Sequence, residues 1–181
     1  MSLIDIGANL THESFEQDLP EVLDSARSHN VTQLMVTGAS VKGSKQAFEL
    51  ARQYPDFLYA TAGIHPHHAD EATAAGLAAI EALLAEPEVK AVGETGLDFF
   101  RDFSDRDAYP TFYDLLAPHR NKLGAIVVHC FTGQEDALNA YLDLDCHIGI
   151  TGWICDERRG QHLIELVKQI PLNRIMLETD S

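Results

Sequence analysis

The chain has 181 residues, of which 45% are hydrophobic, so it can bury one substantial core, and its length fits a single domain over residues 1–181 better than two. Its 28 acidic residues outnumber its 13 basic ones, and the net charge of −15 argues against a protein that holds nucleic acid through a broad basic surface. The charge still permits contacts to a few phosphates through bound metal ions.

The sequence contains no segment that is typical of a membrane or secreted protein. No apolar stretch approaches the roughly 20 residues of a membrane helix, and the start of the chain lacks the pattern of a signal peptide. The three cysteines, Cys130, Cys146 and Cys155, are odd in number and lack CxxC spacing, which argues against a disulfide framework or a four-thiolate zinc site. We therefore expect a cytoplasmic protein with reduced thiols and no membrane partner.

Apolar runs alternate with segments of helical periodicity along the whole chain. The seven predicted strands are 3–6, 31–37, 57–61, 89–92, 125–128, 147–150 and 174–177. The predicted helices are 19–28, 42–53, 72–85, 111–116, 135–142 and 161–169. This alternation, with strands that are apolar almost throughout, predicts a parallel sheet covered by helices.

The strand count leaves two α/β architectures open, because an open doubly wound sheet can have seven strands and a TIM (β/α)8 barrel needs eight. The placement of polar residues favours the barrel. Five polar residues follow predicted strands within a few positions: Asn9, His65, Glu94, His129 and Asp180. In TIM barrels the catalytic residues come from the C-terminal ends of several strands, so we expect a TIM barrel that lacks one strand.

Two of these strand ends indicate a metal site. Glu94, in AVGETGLDFF, lies between glycines that allow close approach of a ligand, although it could simply end a strand, with Asp98 capping the next helix. His129, in IVVHCFTG, passes from a β-branched run into a loop. A lone histidine there is more often structural. Together with carboxylates at other strand ends, it indicates a divalent metal, since carboxylate oxygens and imidazole nitrogens are the usual ligands.

A third strand end is rich in histidine. GIHPHHAD places His65, His67 and His68 after one strand, and His65 is the best candidate for phosphate or metal contact because it lies nearest the strand. The alternative is an ordinary loop with a helix cap at Asp70.

TGWICDERRG contains the only tryptophan, Trp153, together with Arg158 and Arg159. The arginines are either a solvated helix start or a phosphate-binding pair, with Trp153 stacking on a base. The motifs GxSxG, GxxxxGK[ST] and GxGxxG are absent from the sequence, so nothing supports a hydrolase elbow, a P-loop or a dinucleotide site.

The order of five motifs resembles that of a known family. These motifs are GIHPH, VGETGLDFFRDFS, VVHCFTG, GITGWICDERRG and LETDS. From about residue 3 to residue 181 the chain resembles the TatD family of metal-dependent deoxyribonucleases. The resemblance implies a TIM barrel related to the amidohydrolases, in which one or two divalent ions activate water for phosphodiester hydrolysis. Strand 1 and GWICDERRG are most similar to the TatD branch, which implies a magnesium-dependent 3′ to 5′ exonuclease on single-stranded DNA and RNA; Zn²⁺ and Mn²⁺ are the alternative metals.

The resemblance implies roles for Glu94, His129 and Asp180, and the sequence itself suggests roles for four further residues. Glu94 and His129, with a histidine from strand 5 of the family, would bind Mg²⁺, and Asp180 would contact the metal and orient or deprotonate the bound water as catalytic base. His65 would steady the scissile phosphate. Arg158 and Trp153 would hold the neighbouring nucleotide. Glu178, on the same face of its strand as Asp180, would support these residues.

The chain departs from the family pattern in two places. Many members begin with DxHxH, whereas IDIGANL keeps Asp5 but has Gly7 and Asn9, which implies a shift toward oxygen-ligated magnesium. The family's strand 5 ends in a histidine ligand followed by RDAH, whereas FSDRDAY passes straight from the strand 4 loop to Arg106. One βα unit, on the order of 25 to 30 residues, is therefore predicted to be missing after Ser104.

Further expectations concern the length of the whole chain and its oligomeric state, and alternative functions stay open. The family continues past ETD into Pro-rich loops and closing helices, so we expect the 20.0 kDa sequence to be part of a longer chain. We expect a monomer. The alternative functions are a metal-dependent amidohydrolase or deacylase of aminoacylated tRNA, since the same residue set can attack a carbonyl, and a barrel that binds without catalysis.

Overall fold

The computed structural model describes residues 2–96, 113, 116–158 and 160–179. These residues fall into two compact units, one within residues 2–96 and one within residues 113–179. Each unit contains one parallel sheet with its own hydrophobic core. Within the described ranges, no helix combines the length and the apolar character needed to cross a bilayer.

The first unit is built on four parallel strands, in the order β1 (Leu3–Ala8), β2 (Val31–Val36), β3 (Leu58–Ala62) and β4 (Val89–Val92). The helices between them are α1 (Leu19–Ser28), α2 (Val41–Gln53) and α3 (Ala74–Leu84). Every strand neighbours the next strand along the chain. This order is typical of successive βα units in a barrel, whereas the strand order of a doubly wound sheet reverses.

The core of the first unit lies between the sheet and its helices. On α2, Ala47, Leu50 and Ala51 are buried at the i, i+3, i+4 spacing of one helix face. The N-termini of α2 and α3 are capped by Ser40 and Thr73, whose hydroxyls accept hydrogen bonds from backbone N–H groups three residues later. These caps explain why both helices begin where they do.

The second unit has three parallel strands, in the order β5 (Val127–Val128), β6 (His147–Ile150) and β7 (Ile175–Leu177). The helices are α4 (Glu135–Asp143) and α5 (Gln161–Leu166), and α5 continues as a 3-10 turn, Val167–Gln169. The buried core includes Phe131, Leu138, Ile148, Leu163, Leu166 and Ile170.

A cluster of three charged residues, Arg120, Asp145 and Arg174, connects the loops that precede β6 and β7. Arg174 contacts Asp145 through its guanidinium, and Arg120 reaches the same carboxylate at 3.2 Å. Asp145 has a positive φ of 60°, at the point where the chain turns from α4 into β6.

The described elements confirm the α/β alternation predicted from the sequence. The predicted bounds of α1, β4 and β6 match the structure, and the others agree within a few residues, although β5 is shorter than the predicted strand 125–128. The helix predicted at 111–116 lies almost wholly outside the described residues.

Candidate active site

His65 and Glu94 stand on neighbouring strand ends that are fixed by backbone hydrogen bonds. The N–H of His65, which follows β3, donates to the carbonyl oxygen of Ala39 at 2.9 Å. The N–H of Glu94, which follows β4, donates to the carbonyl oxygen of Gly38 at 2.7 Å. Both residues are therefore anchored to the segment that follows β2.

The close packing at these strand ends requires glycine at position 63. A Cβ atom there would lie 2.5 Å from the carbonyl carbon of Gly93 and 2.6 Å from the carbonyl oxygen of Glu94, well inside van der Waals contact. The hydroxyl of Ser44, on α2 and fully buried, bonds both the N–H and the C=O of Gly63 at 3.1 Å. The hydroxyl of Thr61 likewise accepts from the N–H of Gly38 at 3.0 Å. Ser44 and Thr61 were not predicted from the sequence, because neither belongs to a motif.

The hydrogen bonding of His65 defines what its ring can do. Its Nδ1 accepts a hydrogen bond from the N–H of His67 at 3.0 Å. A backbone N–H can only donate, so the neutral ring must carry its proton on Nε2. That nitrogen lies 3.7 Å from Oε1 of Glu94, and both side chains are about three-quarters buried, with exposed fractions of 20% and 24%. His65 therefore presents an N–H donor beside a carboxylate.

Near the end of β1, Gly7 and Asn9 stand where the DxHxH pattern has histidines. Asp5 is half-buried and its Oδ1 accepts from the N–H of Gly7 at 3.1 Å. Asn9 is exposed. Neither Gly7 nor Asn9 offers an imidazole nitrogen, so any metal contact here would use oxygen.

In the second unit, Glu178 joins the ends of β5 and β7. Its Oε2 lies 2.7 Å from Nδ1 of His129, and its Oε1 accepts from the N–H of Cys130 at 2.6 Å. The Glu178 side chain is 1% exposed and that of His129 is 32% exposed. Both carboxylate oxygens are thus engaged by residues that follow β5.

The carboxylate of Glu178 can reach β5 because β6, the strand between, has glycine at position 149. A Cβ atom on Gly149 would overlap Oε1 of Glu178 and lie 2.9 Å from its Cδ. The backbone ties the same three strand ends, since the N–H of Phe131 donates to Gly149 at 3.0 Å and that of Glu178 to Ile150 at 3.2 Å.

The residues predicted to bind a nucleotide lie in and after a 3-10 helix, Gly152–Cys155. The hydroxyl of buried Thr151 accepts from the N–H of Trp153 at 3.3 Å, and the partly buried indole packs against the core of this unit. The N–H of Arg158 donates to Asp156 at 2.9 Å, and the residue itself is exposed. Arg159 lies outside the described residues. The roles of Trp153 and Arg158 stay predictions.

The structure therefore groups the predicted site residues in two pairs, His65 with Glu94 and His129 with Glu178. Asp180 lies outside the described residues. Among the residues that are described, no three His, Cys, Asp or Glu side chains form a ready metal cage.

Comparison with known families gives one match that covers the chain in two parts. The family model described as "TatD related DNase" matches residues 4–109 and 104–181. The two parts meet where the sequence predicts that a βα unit is missing.

Relatives of known name are similar over nearly the full chain. A protein of Edwardsiella piscicida named "3'-5' ssDNA/RNA exonuclease TatD" is 43% identical, in an alignment that covers 99% of this chain and 79% of the relative. The alignment spans 205 residues although the chain has 181, so at least 24 aligned positions have no residue of this chain. That number is close to the size predicted for the missing unit.

Solved structures of the same family share the fold. A TatD family hydrolase from Entamoeba histolytica matches with a TM-score of 0.77 and 27% identity, covering 99% of this chain and 74% of that one. A TatD homologue from Escherichia coli K12 matches with a TM-score of 0.81 and 25% identity, covering 98% and 78%. These likenesses confirm the predicted fold class, which is α/β and of the amidohydrolase-like TIM-barrel type.

Proposed function

The chain belongs to the family of TatD-related DNases, and we propose that it is a metal-dependent exonuclease that shortens single-stranded DNA and RNA from the 3′ end. The observation that carries the proposal is the pairing of His65 Nε2 with Glu94 Oε1 at 3.7 Å on adjoining strand ends. This pairing sets an N–H group, which can donate a hydrogen bond to a phosphate oxygen, beside a carboxylate, which can bind a divalent metal.

Each unit offers donor atoms of a kind that a divalent metal accepts, and we propose Mg²⁺, with Glu94 of the first unit and His129 of the second as ligands. Glu94 supplies carboxylate oxygen, and Asp5 and Asn9 add further oxygen donors, which suits magnesium better than zinc. The contact of His129 Nδ1 with a buried carboxylate is the arrangement that metal-binding histidines usually show. When bound, the metal supplies a Lewis acid and lowers the pKa of its water. Zn²⁺ and Mn²⁺ are the alternatives.

The chain's own residues would carry the remaining steps. His65, with its proton on Nε2, would donate a hydrogen bond to a non-bridging oxygen of the scissile phosphate and so stabilise the charge that develops there. Asp180 would accept the proton of the attacking water. Trp153 and Arg158 would hold the adjoining nucleotide through stacking and charge.

A single strand is the substrate that the charge of the protein favours. With a net charge of −15, a long duplex would meet repulsion along most of its length, whereas a strand end needs contacts to only a few phosphates.

We also propose that the protein is cytoplasmic and monomeric. All three cysteines are free thiols, which suits a reducing compartment. Light scattering on the purified protein checks the oligomeric state.

The decisive experiment follows a 5′-labelled single-stranded oligonucleotide in Mg²⁺, with and without EDTA. We expect a ladder of labelled products that shorten with time, no reaction in EDTA, and protection by a blocked 3′ end. Glu94→Gln removes a proposed ligand and should abolish the ladder. Calorimetry with Mg²⁺, Mn²⁺ and Zn²⁺ accompanies the assay. If the protein neither cleaves the oligonucleotide nor binds a metal, the result favours a barrel that binds without catalysis. If it hydrolyses only an aminoacyl ester, the result favours the deacylase.

A further inference from the structure

We propose that Glu178 is a positioning residue, which holds His129 in the tautomer that has its proton on Nδ1 and its lone pair on Nε2. The inference rests on the proposed function in so far as His129 is a metal ligand. Gly149 is part of the same arrangement, because the absence of a side chain there leaves room for the Glu178 carboxylate to cross β6.

The two carboxylate oxygens of Glu178 have different hydrogen-bond partners. Oε1 accepts from the N–H of Cys130 at 2.6 Å, so this oxygen faces a donor that cannot change its role. Oε2 lies 2.7 Å from Nδ1 of His129. A carboxylate in that position accepts a hydrogen bond from Nδ1–H, which leaves the lone pair of the neutral ring on Nε2, the nitrogen that can bind a metal.

Burial strengthens this control of the ring. The Glu178 side chain is 1% exposed, so water does not compete for its oxygens, and a hydrogen bond in such surroundings is stronger than one at the surface. The His129 side chain is 32% exposed, so it is only partly enclosed by the protein.

The backbone at Cys130 shows that the same carboxylate also fixes the turn after β5. Cys130 has a φ of 46°, a left-handed conformation that is uncommon for a residue with a side chain. Its N–H points to Oε1 of Glu178. The carboxylate thus fixes both the direction of the chain after His129 and the ring of His129 itself.

Gly149 makes the arrangement possible, because the Glu178 side chain must pass over β6 to reach residues that follow β5. A methyl group at position 149 would overlap Oε1 and approach Cδ to 2.9 Å. We expect Gly149→Ala to expel the carboxylate from this position and to release the His129 ring even though Glu178 is still present.

The sharpest test is Glu178→Gln, which keeps the size of the side chain. The N–H of Cys130 still requires the amide oxygen, so the amide NH₂ faces His129 and donates to Nδ1, which moves the ring proton to Nε2. Long-range ¹H–¹⁵N spectra of the metal-free full chain at about pH 8.5 report the tautomer directly. We expect a proton on Nδ1 in the wild type and on Nε2 in the variant. A wild-type ring protonated on Nε2 would overturn the inference.

Two further readouts separate this inference from the proposed function. Titration with Mn²⁺ alone should show about 10- to 100-fold weaker binding for Glu178→Gln and Gly149→Ala. Glu165→Gln, a matched control on the exposed face of α5, should bind like the wild type. A wild type without nuclease activity would refute the proposed function while the tautomer result stands. Unchanged tautomer and unchanged Mn²⁺ affinity in Glu178→Gln would refute the role of Glu178 alone.

Discussion

The hydroxyl of Ser44, on α2, forms two hydrogen bonds with the backbone of Gly63. It accepts from the N–H and donates to the C=O, each at 3.1 Å. The bonds join the helix that covers β3 to the residue just before the His65 loop. Because Ser44 is fully buried, no water can replace its hydroxyl.

We predict that Ser44→Ala lowers the free energy of unfolding by about 1–3 kcal/mol, since it leaves a buried N–H and a buried C=O without this partner. Urea denaturation of both proteins measures the difference. Ser28→Ala is the matched control, because the Ser28 hydroxyl bonds a helix carbonyl at the exposed surface. We expect that control to change stability by less than about 0.5 kcal/mol. Equal effects of the two substitutions would contradict the stabilising role of the buried hydrogen bonds between Ser44 and Gly63.

We predict that Gly63→Ala reduces nuclease turnover by about 100-fold or more, because the added methyl group would push away the backbone at Gly93 and Glu94. Overpacking should also cost about 1–3 kcal/mol of stability. The measurements are oligonucleotide degradation at saturating Mg²⁺ and urea unfolding. Gly124→Ala serves as the control, since nothing lies within 4 Å of a Cβ there. Normal turnover in Gly63→Ala would show that Glu94 tolerates displacement.

Most elements of the fold could be predicted from the sequence because their signal is local. β6 is predicted with its observed bounds, since HIGI is a short apolar run between a charged turn and a capping threonine. β5 is shorter than predicted because only Val127 and Val128 pair with the neighbouring strand. Hydrophobic periodicity reports apolar character and not the hydrogen bonds between strands, so it overestimates the length of such a strand.

The site could be predicted only in part, because its side chains meet across strands. Strand ends and motifs predicted site roles for His65, Glu94 and His129, and alternation along β7 predicted that Glu178 supports the site. The partner of Glu178 depends on the order of β5, β6 and β7 and on a missing side chain at Gly149. Such contacts follow from strand register, which no single segment of sequence encodes.

We predict that stability falls at alkaline pH partly through Cys146. Burial raises the pKa of this thiol, and Asp145 adds to the effect while Arg120 and Arg174 oppose it. Because the folded-state pKa is the higher one, the unfolded chain loses its thiol proton first, and the stabilisation is lost as the pH rises past the ordinary thiol pKa of about 8.5.

Urea unfolding at several pH values between about 7 and 10 checks this prediction. Cys146→Ala should show a smaller alkaline decline than the wild type. Cys155→Ala is the control, because Cys155 is exposed, and it should leave the slope unchanged. In the folded wild type, an alkylating reagent should modify Cys155 well before Cys146. An alkaline slope that is the same in Cys146→Ala and in the wild type would count against the buried thiol.

We predict that replacing His65 and replacing Glu94 have different effects on turnover and on metal binding. His65 presents an N–H and not a lone pair toward Glu94, because its Nδ1 is engaged by the N–H of His67. His65→Ala should therefore lower kcat by about 100- to 1,000-fold, the usual cost of losing one donor to a developing negative charge, while Mn²⁺ affinity stays within about threefold. Glu94→Ala should instead abolish both activity and tight Mn²⁺ binding. His68→Ala is the control for the histidine-rich loop, since its ring is half exposed and lies 3.6 Å from Glu71. If His65→Ala lost Mn²⁺ as Glu94→Ala does, His65 would have to be a metal ligand, and the tautomer assigned to its ring would be wrong.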